Sequence, residues 1–174
     1  YNKKRKCLFD VLGDGKIRPN QLFALSLTYP VLEPTSTEAK EMFETVSKKL
    51  LNNYGLKTLA KGEENYVEVY EGDGARRDFS YHQGITWTWL LGLYYNALKK
   101  LADSGKTKTE KLKYEAKLED FVGDVTKTFS KEVFERGCIG SIAEIYDSKK
   151  PNLPKGAFAQ AWSVAEVLRI ILEK

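Results

Sequence analysis

Glu144 is the residue of this sequence whose surroundings most suggest chemistry. It lies in Gly140-Ser141-Ile142-Ala143-Glu144-Ile145-Tyr146-Asp147, with apolar residues on both sides and a second acid, Asp147, close behind. Many other acids of the chain lie beside lysines, the pattern of a solvated charged face. A carboxyl group set among apolar neighbours is in the kind of environment that tunes acid–base groups. The chemistry it suggests is glycoside hydrolysis. That reaction takes two carboxyl groups, one to protonate the leaving oxygen and one to activate water or to attack. Glu144 is the candidate base. The plainer alternative is a carboxylate that caps a turn or pairs with Lys149 or Lys150.

A sugar-processing site also needs flat apolar surfaces and hydrogen-bonding groups. Trp87, Trp89 and Trp162 offer the surfaces, although tryptophans on apolar helices are more often core. Trp87, nearest a helix start, has the best claim to a pocket, and Trp162 follows it. His82, Gln83, Gln160 and Asn20 lie at or just before helix starts, where they either bind hydroxyls or cap the helix. Arg76 and Asp78 read as a structural ion pair.

The elements that must position these groups follow from periodicity. Pro19 and Pro30 bracket a short apolar helix over about residues 20–28. Thr35 and Glu38 have capping-box spacing ahead of an amphipathic helix at 36–53, with Ala39, Met42, Phe43 and Val46 on its inner stripe. Residues 55–84 show no helical period, and Tyr66 to Tyr70 read as a possible short strand. Residues 85–101 form an apolar helix. A charged amphipathic helix follows, carrying Leu118, Phe121, Val125 and Phe129, and stops before Gly137. The last helix, 157–173, is apolar all round, with Phe158, Ala161, Trp162, Ala165, Leu168 and Ile171 as its clearest core positions.

Helices apolar all round thus alternate with amphipathic ones. That pattern predicts an all-α chain in two helical layers, an α/α toroid of the six-hairpin barrel type with about half of the barrel present. The irregular segments before the inner helices would then meet on one rim with Glu144, His82, Gln83, Trp87, Gln160 and Trp162. Residues 1–174 read as one domain.

Composition excludes several other classes. The chain has 174 residues, 42% hydrophobic and 30% charged, as expected of a folded domain. A net charge of +4 argues for no nucleic-acid partner, and the basic run Lys3-Lys4-Arg5-Lys6 reads as a solvated turn. A single histidine, His82, rules out a multi-histidine metal site within the chain, and no metal or cofactor is expected. Cys7 and Cys138 match no disulfide framework, so a cytoplasmic location is the expectation. No apolar run is long enough for a membrane span. The chain opens on Tyr1 and runs quickly into apolar, structured-looking sequence, so a piece of a longer or processed protein is expected.

Four motifs occur in order: Ile17-Arg18-Pro19-Asn20-Gln21-Leu22-Phe23-Ala24, Tyr81-His82-Gln83-Gly84-Ile85-Thr86-Trp87, Gly140 to Asp147, and Ala159-Gln160-Ala161-Trp162-Ser163-Val164-Ala165-Glu166. Together they resemble the C-terminal part of the amylo-α-1,6-glucosidase domain of glycogen debranching enzymes, and they span nearly the whole chain. The resemblance implies the α/α barrel, metal-free inverting hydrolysis of α-1,6-linked glucose at glycogen branch points, and Glu144 as the general base. It also implies as partners a branched α-glucan and the remaining N-terminal part of the same enzyme, because the family's general acid is an upstream aspartate that no residue here matches. Thr88 departs from the family's usual proline. The alternative function is a non-catalytic glucan-binding or scaffold module.

Overall fold

The computed structural model describes residues 1–173. Among them are six α-helices, a 3₁₀ turn and five short strands. Residues Pro19–Leu22 form the 3₁₀ turn, with Pro19 at its start, where a missing N–H costs nothing. It runs into α1, Phe23–Ser26. Helix α2 spans Thr37–Lys49, and its N-cap is Ser36, one residue later than the Thr35 of the sequence reading. The Ser36 hydroxyl accepts from the Ala39 N–H at 3.2 Å. Helix α3, Gly74–Ser80, falls in a stretch that reads as loop, and the Asp73 carboxylate caps it. Helices α4 (Leu90–Asp103), α5 (Lys108–Glu135) and α6 (Ala161–Leu172) complete the set.

The architecture is mixed α/β, 47% helical, and not the all-α six-hairpin toroid that the helix alternation predicts. The irregular segments are the reason. Their extended backbones must satisfy N–H and C=O groups, and they do so by pairing with one another. Strands β1 (Leu51–Asn52), β2 (Gly55–Lys57), β3 (Thr86–Trp87), β4 (Ile145–Tyr146) and β5 (Pro154–Lys155) form one antiparallel sheet in chain order. Runs of two or three residues are too short for a period of two to show in sequence. Tyr66 to Tyr70 joins no strand, although the Val67 N–H donates to the Gln83 carbonyl at 2.6 Å.

Helix α4 is the centre of the packing, against α1, α2, α5 and α6. Its Leu91, Tyr94, Leu98 and Leu101 are buried with Phe43 and Val46 of α2 and with Phe121, Val125 and Phe129 of α5. Ion pairs tie α2 to α5 outside this core: Lys40–Glu110 at 2.7 Å, Lys113–Glu44 at 3.0 Å and Lys117–Glu44 at 2.6 Å. Among the described residues no helix is long and apolar enough to cross a membrane.

Helix α6 turns its faces the other way from the reading of its sequence. Ser163, Val167 and Ile170 are the buried positions. Phe158, Trp162, Leu168 and Leu172 are 75%, 45%, 51% and 71% exposed, and they leave an apolar face open. With apolar residues on every side of the helix, periodicity could not choose the inner face.

Candidate active site

The sheet is what assembles the site. Trp87 of β3 pairs with Ile145 of β4, so the residue beside Trp87's neighbour strand is Glu144. Ile145 in turn pairs with Lys155, which brings Gly156 opposite Glu144. The Glu144 N–H donates to the Ala157 carbonyl at 2.9 Å, and the Ala157 N–H donates back to Glu144 Oε2 at 3.1 Å. The Gln160 amide donates to Oε1 at 3.2 Å. Residues Ile142, Ala143, Ile145 and Tyr146 around it are buried, while Glu144 itself is half-buried. The apolar flanks seen in the sequence therefore anchor the loop and leave the carboxylate at the surface of a cavity.

Gly156 is where this arrangement needs glycine. Its φ is +68°, and a Cβ there would stand 2.4 Å from Glu144 Oε2. The carboxylate occupies the volume that a side chain would fill.

The cavity has a volume of about 440 Å³. Among its lining residues are Arg18, Asn20, Tyr81, His82, Trp87, Trp89, Trp162 and Glu144, and Glu144 is its one carboxylate. Its wall is an aromatic stack. The His82 imidazole lies nearly parallel to Trp87, 5.2 Å between ring centres and 16° between planes. Trp162 stands edge-on to Trp87 at 5.9 Å and stacks on Trp89 at 5.6 Å. Loss of solvation in this stack, and then the Arg18 charge, push the His82 imidazole below its ordinary value, which favours the neutral ring at neutral pH.

The expected site residues play unequal parts here. Glu144, His82, Trp87, Trp162 and Asn20 line one cavity. Gln160 touches it only through its bond to Glu144. Gln83 does not line it; its side-chain oxygen accepts from Arg18 Nη2 at 2.9 Å. The Asn20 amide is engaged by Asp10 at 2.9 Å, and the Trp87 indole N–H donates to the Tyr81 carbonyl at 3.0 Å. Trp87 is 5% exposed, so Trp162 presents the more open ring. Asp147 lies away from the cavity. Buried, it accepts from the Tyr70 N–H at 2.8 Å, with Lys155 at 3.9 Å. Arg76 and Asp78 make no ion pair among the described residues.

Sequence reasoning left out Arg18 and Tyr81 as site groups, while Trp89, one of the three tryptophans offered as a flat surface, does line the cavity. Arg18 is held by the His82 carbonyl at 2.7 Å and the Thr58 carbonyl at 3.1 Å, so it ties the first motif to the second. Its adjacency to Pro19 and Asn20, inside a motif already singled out, was the available signal. Tyr81 had the same signal, standing next to His82.

Fold and site together give one half-buried carboxylate facing stacked aromatic rings across an open cavity. A comparison with protein families is specific. Residues 1–169 match the family described as amylo-alpha-1,6-glucosidase. The chain belongs to that family. Its members are glycogen-debranching enzymes of the glycoside hydrolase type that act on glucan.

Proposed function

We propose that this chain supplies the general-base half of an inverting α-1,6-glucosidase site that releases glucose from the branch points of glycogen or limit dextrin. The observation that carries the reading is Glu144, the one carboxylate lining an aromatic-walled cavity. Its oxygens are held by Gln160 and by the Ala157 N–H. A glucose ring fits against Trp162, with neutral His82 and Arg18 available to its hydroxyls.

In the proposed reaction a water oxygen bonds to the anomeric carbon as the glycosidic C–O bond breaks on the opposite face. The proton of the water passes to Glu144. A second carboxylic acid gives its proton to the leaving oxygen, and the two carboxyls stand roughly 6.5–9.5 Å apart to leave room for the water. That acid would come from polypeptide N-terminal to these residues, as the resemblance implies. The open apolar face of Phe158, Trp162, Leu168 and Leu172 supports a covering polypeptide of that kind.

Proton NMR of the first glucose released from a branched limit dextrin by the natural-length protein tests the mechanism. The expected first product is β-glucose, inverted from the α-linkage. First-formed α-glucose would mean a retaining reaction, in which Glu144 is no water-activating base.

A further inference from the structure

Glu144 also lines a second cavity, of about 670 Å³, beside β5. Its character is opposite to that of the aromatic cavity. Glu71, Arg77 and Lys155 share it with Glu144, two cations against two carboxylates, and no tryptophan lines it. Glu71 and Arg77 are exposed, so this cavity opens to solvent. The two cavities meet at Glu144 and Tyr81. The Tyr81 ring packs on Trp87 of the aromatic cavity at 4.7 Å and on Tyr70 of the polar one at 5.7 Å. Glu144 Oε2 is turned to the polar side. It accepts from the Ala157 N–H at 3.1 Å and lies close against the position of a Gly156 Cβ, and both of those residues line the polar cavity.

We propose that the polar cavity is the inlet through which the attacking water reaches Glu144 while glucan fills the aromatic cavity. Inversion sets the order of the parts: the leaving oxygen is on one face of the sugar, and the base and its water are on the other. The aromatic rings take the sugar, so the water comes from the far side of the carboxylate. Charged groups hold water and stacked rings shed it, so the two cavities sort the two reactants by their chemistry. Oε2 has about two acceptor positions. The Ala157 N–H takes one, which leaves the other for a proton of the water. Each turnover consumes a water, and a glucan seated on the ring wall closes the aromatic route to it. The inference rests on Glu144 being the base, and it adds that the base is supplied from behind.

The test fills the inlet in the natural-length protein. Ala157→Phe adds a ring at an exposed position and keeps the backbone bonds to Glu144. Glu71→Trp fills the cavity from its exposed rim and touches none of those bonds. In each variant kcat for glucose release from a branched limit dextrin should fall about tenfold, with maltooligosaccharide binding and melting temperature close to the parent's. A second readout is independent of how Glu144 itself is placed: Glu144→Ala acting on α-glucosyl fluoride with added azide. An azide nitrogen bonds to the anomeric carbon as the C–F bond breaks and fluoride leaves, which gives β-glucosyl azide without a base. Azide should restore turnover in E144A, and about tenfold less of it in the E144A/A157F pair. Full kcat in both filled variants, or equal azide-dependent turnover with the inlet open and filled, overturns the inlet while leaving Glu144 as base. Weakened oligosaccharide binding at unchanged kcat overturns it as well and makes the polar cavity a glucan site. E144A at near-parental rate on limit dextrin overturns the base itself.

Discussion

Glu144 and Asp147 are three residues apart and have opposite fates. Glu144 faces a cavity with its oxygens held by neutral donors, whereas Asp147 is buried and spends its carboxylate on the Tyr70 N–H. Burial raises the Asp147 carboxyl above its usual range. The unfolded chain therefore ionises first as pH rises past the ordinary carboxyl value of 3.8, and stability is lost as pH climbs on through the raised folded value. Asparagine keeps an oxygen for Tyr70 and has no charge to bury. Asp147→Asn is expected to gain stability relative to the parent between about pH 3 and pH 7, followed by denaturant unfolding at each pH. A parent that gains on the variant over that range would mean that Lys155 outweighs burial. Trp162 is the open ring of the stack, so Trp162→Ala should leave the melting temperature almost unchanged. It should weaken maltooligosaccharide binding about tenfold, or about 1.4 kcal/mol, by calorimetry. Unchanged binding would remove Trp162 from the sugar surface. At this scale the sequence was informative about Glu144, because apolar flanks are visible in sequence. It was uninformative about Tyr81 and Arg18, whose parts depend on which segments the sheet brings together.

The sheet is the element that sequence concealed. The helices at 37–49, 90–103, 108–135 and 161–172 were legible from their apolar recurrence. The predicted start of α4 at residue 85 was not, since Thr86 and Trp87 belong to β3 and the helix begins at Leu90. Both residues are fully paired in the sheet, and that pairing decides their backbone against the helix that their apolar neighbours suggest. The turn after β5 makes the same point energetically. Gly156→Ala places a methyl group in a left-handed conformation, a cost of roughly 1–2 kcal/mol. It also pushes against the Glu144 carboxylate, 2.4 Å from the new Cβ. The expected result is a modest fall in melting temperature with a disproportionate loss of glucose release, about 10²-fold. A rate that falls no further than stability accounts for would show that Glu144 tolerates displacement. By contrast, Leu98→Ala in the fully buried centre of α4 should cost about 2–5 kcal/mol of stability by chemical denaturation. A loss below 1 kcal/mol would mean that the surrounding helices collapse onto the gap.

For the molecule as a whole, helices built on α4 carry a small sheet; the sheet gathers two irregular segments at one cavity, and Arg18 ties the N-terminal segment to them. One face of α6 remains open and apolar beside that cavity. The proposed division of labour places the base here and the acid in N-terminal polypeptide, so the 174-residue chain alone should bind maltooligosaccharide yet release negligible glucose. The most direct measurement compares the natural-length protein with its Glu144→Gln variant for glucose release from a branched limit dextrin. Glutamine keeps the shape and one acceptor oxygen for the neighbouring donors but cannot take the proton of the water. The expected result is a rate lower by about 10²–10⁴-fold, with the melting temperature and oligosaccharide binding retained. Near-equal rates would make Glu144 a structural carboxylate and would contradict its role as the base.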